Sequence, residues 1–394
     1  MPAFPRHLAT AATLLCLAAP PALAAGGCGG SFAQFLSGIR AEALSRGLPA
    51  ATVDAFLAGA RQDSRVLRAD RAQGVFQMNF IDFSRRIISK NRMTNGAANA
   101  RRYSATFDRI EGEMGVPRGV LLAFWALETD YGAVQGDFRT RDALLTLAHD
   151  CRRPHLFRPQ VFSAMALMAR GDFTPDTTGA WAGEIGQVQM LPEDILRNGR
   201  DGDGDGHVRL KTSAPDALYS GAAMLRARGW RPNQPWLQEI VVPDTLDWSL
   251  TGMERPRAVA DWERRGVRGR SGALARGLNG AILLPMGRNG PAFMAYPNFN
   301  VLLEWNQSLV YVTTAAYFAT RLEGAPIYDP GRPATGLDGA GIKRLQQRLV
   351  QRGHDVGAID GILGARTRAA VQAEQKRQGL PADAWPTAAL LSRL

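Results

Sequence analysis

The chain has 394 residues, 45% of them hydrophobic and 21% charged, which is enough apolar material for a real core and for more than one domain. Its formal charge of +11 could suit a polyanion, but only four of the 47 basic residues are lysine and the arginines are scattered rather than gathered into a stripe. With no nucleic-acid module in the sequence, no nucleic-acid partner is expected.

At the N-terminus, Arg6 and His7 precede an apolar stretch from Leu8 to Leu23, and Ala22-Leu-Ala24 supplies small residues at the spacing of a leader-cleavage site. Residues 1–25 therefore read as an export signal. They are too short and too rich in Ala and Pro for a membrane anchor, and no later segment approaches 18 uninterrupted apolar residues. Cys16 leaves with the leader, so an exported chain keeps Cys28 and Cys151, an even pair that favours one disulfide. The competing use of Cys28, a lipid anchor to the outer membrane, is disfavoured because Ala25-Gly26-Gly27 lacks the leucine expected three positions upstream.

From Ser31 to about Thr320 the pattern is mainly helical, with amphipathic stretches at Phe35-Leu36, Ile39-Arg40 and Ala43-Leu44 and again from Pro159 to Arg170. The run from Val120 to Gly132 is strongly apolar yet contains Glu128, on one helix face with Leu121 and with Phe124 or Trp125. Burial there should raise the pKa of the carboxyl group, so that it stays protonated near neutrality and can donate a proton to a leaving oxygen. That is the chemistry of breaking a glycosidic bond. The alternative is an acid that caps a helix ending at Gly132.

Three further segments carry polar chemistry. Gly183-Glu-Ile-Gly186-Gln187-Val-Gln189 offers amides that can donate and accept together, as sugar hydroxyl and acetamido groups require. Asp201-Gly-Asp203-Gly-Asp205-Gly206-His207 places oxygen donors as at the start of an EF-hand loop, with His207 supplying its backbone carbonyl. The usual closing Glu is replaced by Thr212, and Asp216 could close a longer loop around a structural Ca²⁺. In the stretch from Tyr296 to Tyr311, aromatics alternate with Asn306 and Ser308, a mixture suited to a sugar site.

The main region, 26–325, is followed by a Pro/Gly-rich linker, 326–336, and a compact module, 337–394. In that module Leu345 and Leu349 share a helix face, Asp360-Gly361 forms a turn, and Thr367 starts or stabilises a second helix.

Taken together, Glu128-Thr-Asp-Tyr-Gly132, Gly186-Gln-Val-Gln189, the Asp-rich loop and Trp305-Asn306-Gln-Ser308 resemble the motifs of the lytic murein transglycosylases of the membrane-bound B type. The module is similar to the small three-helix peptidoglycan-binding domain, although Glu374 replaces the usual Phe and Asp383-Ala384 the common Asp-Gly. The resemblance implies a mainly α, lysozyme-like catalytic domain with a calcium loop, acting on peptidoglycan glycan strands; the export signal points to the periplasm, and a monomer is the default expectation. The same resemblance makes Glu128 the catalytic acid. Gln187, Gln189, Tyr296, Asn306, Ser308 and Tyr311 are the expected substrate contacts, and Asp201, Asp203, Asp205, His207 and Asp216 the expected calcium ligands. Gln187-Val188, Glu184 and Trp305 depart from the family pattern. Two other readings compete: a hydrolytic muramidase with a second carboxylate from a distant loop, and a non-catalytic wall-binding protein.

Overall fold

The computed structural model describes residues 28–72 and 78–394, so the leader read at 1–25 lies outside the described residues. The centre of the molecule is a pair of antiparallel helices, Arg118–Thr129 and Leu309–Leu322. The first starts behind the extended Pro117, and its side chains from Val120 to Ala126 are buried on every face, as its unbroken apolar run demands. Gly119 permits the close approach of the two axes, because a Cβ there would lie 2.7 Å from the Ala319 carbonyl oxygen. With residue 119 beside residue 319, the C-terminal end of the first helix meets the N-terminal end of the second.

The first helix stops two residues earlier than the glycine predicts. Asp130 and Tyr131 take left-handed backbone angles, φ 51° and 61°, ahead of Gly132. Two successive non-glycine residues in this region are strained. Arg92 holds both: its Nε donates to Asp130 Oδ1 at 3.0 Å, and its carbonyl accepts from the Tyr131 hydroxyl at 2.7 Å.

The helical expectation fails between residues 237 and 295. After a two-stranded ribbon earlier in the chain, β1 (Phe138–Arg139) with β2 (Thr178–Gly179), five short strands form an antiparallel sheet. They are β3 (Leu237–Val241), β4 (Arg257–Ala258), β5 (Arg268–Gly269), β6 (Asn279–Leu283) and β7 (Phe293–Ala295), in the order β4-β6-β7-β3-β5. Their apolar runs are too short for periodicity to separate strand from buried helix. Ile240, Trp248, Trp262, Ile282, Met294 and Tyr296 form this sheet's own core.

Cys28 and Cys151 are joined in a disulfide with Cα atoms 4.9 Å apart, and the Gly29 N–H donates to the His149 carbonyl beside it. The N-terminal segment is thereby fastened to the end of the Thr140–His149 helix.

In the last module, helices Gly339–Gln351, Ala365–Arg377 and Ala388–Leu391 close over Leu345, Leu349 and Val371. The module is docked rather than strung out. Gln372 donates to the carbonyls of Trp248 and Thr251, Arg368 donates to those of Leu284 and Pro285, and the Trp385 indole donates to the Ala334 carbonyl. The stretch read as a linker is itself strapped down, with Tyr328 buried against Tyr317 and Phe293. Glu374 is buried where the family pattern has Phe. Burial pushes its carboxyl up, but Arg377 and His354, hydrogen-bonded to it, hold it down to about 2.

Ala384, which stands in place of the common Gly, has φ 60°, where a Cβ is costly. Ala384→Gly should therefore stabilise the module by about 1 kcal/mol. A higher melting temperature with unchanged activity is the expected result.

Candidate active site

Glu128 stands at the last turn of the Arg118–Thr129 helix, where the partner helix begins. Both donors to its carboxyl group converge on one oxygen. The Tyr311 hydroxyl donates to Oε1 at 2.6 Å and the Trp305 indole N–H at 3.1 Å. Oε2 has no hydrogen bond among the described residues. When the group is protonated, the proton belongs on Oε2, because Oε1 is already accepting twice. Burial pushes Glu128 up, the hydrogen bonds from Tyr311 and Trp305 pull it down, and the charge of Glu184 pushes it up again, leaving the pKa at about 7. Tyr311 is pushed well above the ordinary tyrosine value, first by burial and then by Glu128, so it remains a neutral donor.

Local structure explains how these donors are aimed. Ser308 caps the Leu309–Leu322 helix, its hydroxyl accepting from the Tyr311 N–H, and Asn306 Oδ1 accepts from the Ser308 N–H at 2.9 Å. Trp305 stacks on Phe124 at 4.4 Å between ring centroids. Asn306 and Ser308, read from the sequence as substrate contacts, thus shape the turn that delivers Tyr311, while both stay at least partly exposed.

The opposite wall is a tight loop in which Ile185 and Met190 exchange backbone hydrogen bonds. Thr129 Oγ1 donates to the Gln187 carbonyl at 2.6 Å, fixing this loop to the end of the catalytic helix. Gln187 is buried, with its amide directed to the Lys211 carbonyl, so it braces the wall from behind rather than lining it. Gln189, at φ 51° and partly exposed, spends its amide N–H on the Gly186 carbonyl and keeps Oε1 without a donor among the described residues.

Tyr296 is not brought to this site. It is 1% exposed in the core of the β-sheet, donating to Gln238 and accepting from the Ala275 N–H. The sequence shows an aromatic near amides, and only the sheet reveals that the ring points into a second core. Trp305 and Glu184, not named as site residues from the sequence, both act on Glu128, the first by a hydrogen bond and the second through its charge. The indole N–H of Trp305, within an amide-rich segment, was the signal for the first.

In the acidic loop Asp201, Asp203 and Asp205 bring carboxylate oxygens within 4.8 Å of one another. Of the other two expected ligands, Asp216 is engaged elsewhere. Asp216 is fully buried and its two oxygens accept the N–H groups of Gly202 and Arg209, bracing both ends of the loop, while the His207 ring pairs with Asp172 at 3.0 Å. Only the main-chain carbonyl of His207 is left to serve as an oxygen ligand, the role read for it from the sequence.

A desolvated acid with one oxygen free of hydrogen bonds, lodged where two paired helices meet, is an arrangement suited to protonating the leaving oxygen of a glycosidic bond. The family model of the transglycosylase SLT domain matches residues 31–320, and that of the peptidoglycan binding domain matches residues 338–394. The chain belongs to the transglycosylase SLT family and carries a C-terminal peptidoglycan-binding domain.

SltB3 from Pseudomonas aeruginosa, solved with NAG-anhNAM-pentapeptide and with NAG-NAM-pentapeptide, is 34% identical with a TM-score of 0.85, covering 93% of this chain in both structures and 99% of the solved chain in the first. The membrane-bound lytic murein transglycosylase B of Escherichia coli (strain K12) is 29% identical over 153 residues, 38% of this chain. That alignment spans 42% of the curated relative's length. The Escherichia coli lytic transglycosylase Slt35, solved in complex with calcium, shares the fold at 21% identity and TM-score 0.64, covering 77% of this chain and 98% of its own.

The hydroxyl of Tyr311 lowers the pKa of Glu128, so Tyr311→Phe should move the alkaline limb of the activity profile to higher pH while lowering the maximal rate about tenfold. A pH–kcat/KM series on a soluble glycan measures both effects.

Proposed function

We propose that this protein is a lytic transglycosylase that cleaves the β-1,4 bond between N-acetylmuramic acid and N-acetylglucosamine in peptidoglycan, leaving 1,6-anhydromuramic acid ends. The observation that carries the reading is the asymmetric carboxyl group of Glu128, doubly hydrogen-bonded on Oε1 and open on Oε2, with a pKa near 7.

Glu128 Oε2 gives its proton to the glycosidic oxygen as the C1–O bond breaks, and N-acetylglucosamine leaves as the alcohol. The 2-acetamido oxygen of the muramic acid closes on C1 and takes up the positive charge. The Glu128 carboxylate, steadied by Tyr311 and Trp305, then removes the proton of the C6 hydroxyl, and that oxygen displaces the acetamido group at C1. One proton leaves the acid and one returns. The walls of the site must keep water from C1, since water would compete with the C6 hydroxyl. Gln189 Oε1 and the amide of Asn306 face the sugar's donors and acceptors.

Calcium in the acidic loop would be structural. Three close carboxylates repel unless a cation neutralises them, and Arg209, paired with Asp205, supplies only one positive charge. Asp201, Asp203 and Asp205 with the His207 carbonyl would hold the ion, and the carbonyl and carboxylate donors are of the hard type that calcium takes.

Export through the leader, with folding and disulfide formation in the periplasm, suits the Cys28–Cys151 bond, and a sulfur in that bond is not free to carry a lipid. No helix among the described residues is long and apolar enough to cross a membrane. The docked C-terminal module holds the enzyme to glycan strands, and the protein acts as a monomer.

Mass analysis of fragments released from purified sacculi tests the reaction. The expected products carry anhydro ends, lighter by one water than the reducing ends a muramidase would leave. Glu128→Gln should lower the rate by about 10²–10⁴-fold. The same variant has a stability signature. Because folding raises this pKa from 4.5 to about 7, the folded chain binds more protons than the unfolded chain in that window, and stability is lost as pH rises through it. Glu128→Gln should therefore melt above the wild type at pH 8, with the difference shrinking toward pH 4.

For the metal, added Ca²⁺ should raise the melting temperature of chelator-treated protein, and Asp205→Ala should remove most of that rise. An unchanged calorimetric transition on adding Ca²⁺ would defeat the calcium assignment.

A further inference from the structure

A cleft of about 830 Å³ is left unused by the reaction above. One wall is the turn between helices Ala50–Leu57 and Ser64–Arg71, which carries Arg61, and the other runs from Asp137 into the Thr140–His149 helix. The second wall continues from the Glu128 site. Gln189, on the loop that Thr129 fastens to the catalytic helix, donates its amide to the Gln135 carbonyl at 3.5 Å, and Asp137 follows two residues later, within about 7 Å along the chain.

Both walls have fixed backbones. Arg141, 3% exposed, pairs with Asp142 and donates to the carbonyls of Phe56, Ala58 and Gly59, while Asp142 Oδ1 accepts the Arg61 N–H at 3.3 Å. On the other side Gly136, at φ 84°, packs so closely on Gly179 that a Cβ there would lie 2.2 Å from the Gly179 carbonyl oxygen. Arg65 ties the walls together, its guanidinium lying 4.9 Å from the centre of the Phe138 ring.

Most charges in the cleft are spent on one another, in the pairs Arg65–Asp63, Arg139–Asp176 and Arg141–Asp142. Two are left over. The Arg61 guanidinium and the Asp137 carboxylate belong to exposed residues and have no hydrogen bond or ion pair among the described residues. One free charge of each sign suits a ligand that carries both, rather than a neutral sugar or a simple anion.

We infer that this cleft takes the short peptide borne by the muramic acid of peptidoglycan, with Arg61 receiving a peptide carboxylate and Asp137 a peptide amine. Under the transglycosylase reading, on which this rests, the sugar attacked at C1 is the one whose lactyl group carries the peptide. The peptide's path therefore starts at the Glu128 site and runs onto a flanking wall. A peptide not yet cross-linked has a free amine together with carboxylates, and charges held on fixed backbone meet it with little reorganisation. No bond is made or broken in the cleft; Arg61 and Asp137 set specificity.

The test compares kcat/KM on three soluble tetrasaccharides: peptide-bearing, stripped of peptide by an amidase, and peptide-bearing with the amine acetylated. Product masses and melting temperatures are measured alongside. The wild type should favour the peptide-bearing glycan over the stripped one by about tenfold. Arg61→Ala and Asp137→Asn should each cut that preference about threefold, and Arg61→Lys should keep most of it. Acetylation should cut the wild-type preference as Asp137→Asn does, and should cost Asp137→Asn nothing more. A wild type indifferent to the peptide overturns the proposal, as do folded variants that slow on all three glycans with the preference unmoved. A further loss on acetylating the substrate of Asp137→Asn puts the amine elsewhere and also overturns it. Reducing ends from every glycan would sink the transglycosylase reading and the peptide site with it, whereas anhydro ends with an unmoved preference overturn the peptide site alone.

Discussion

The antiparallel contact between helices Arg118–Thr129 and Leu309–Leu322 is the constraint on which the chemistry depends. It desolvates Glu128 at one end of the contact and supplies that carboxyl group with a hydroxyl donor from the start of the partner helix. Each effect requires the other. Burial alone would leave the carboxylate too unstable to reappear after the first proton transfer, and hydrogen bonds alone would make it too weak a base to recover a proton from C6. The axes must also come close, which is why Gly119 faces the Ala319 carbonyl with no room for a side chain.

Around that contact, several polar residues act as architecture. Gln187 fills the back of the wall, Ser308 caps a helix, and Asn306 holds the turn ahead of it. These roles are compatible with function because a site of this kind works through preorganised groups, and preorganisation is made of such supports. The strain at Asp130 and Tyr131 belongs to the same pattern. An abrupt end to the helix leaves Glu128 in its last turn, and Arg92 restrains the two left-handed residues that make the end abrupt.

The C-terminal module changes the physical picture of how a wall-binding domain assists an enzyme. A flexible tether raises local substrate concentration through an ensemble of separations. Here Gln372 and Arg368 reach into the carbonyls of the β-sheet region, and the connecting stretch is packed along the body through Tyr328. Glycan held by the module would meet the catalytic cleft at one fixed separation and direction.

The sequence by itself determined the parts whose meaning is local. The apolar run with one acid at its end, the spacing of the aspartates and the shared face of Leu345 and Leu349 are each readable from side-chain chemistry over about a dozen residues, and the cysteine pair from an even count in an exported chain. What only the tertiary structure decided are the properties that depend on residues far apart in the chain. Tyr296 and Tyr311 look alike in sequence, yet one ring turns into the core of a sheet that periodicity could not detect and the other reaches Glu128, 183 positions away in sequence. Asp216 has the spacing of a metal ligand, but burial sends its oxygens to two backbone amides. Trp305 is 177 positions from Glu128 in sequence, and only the fold brings its indole N–H to that carboxyl group. Charge and hydrogen bonding act through space, so a one-dimensional pattern names the groups and folding alone sets the distances.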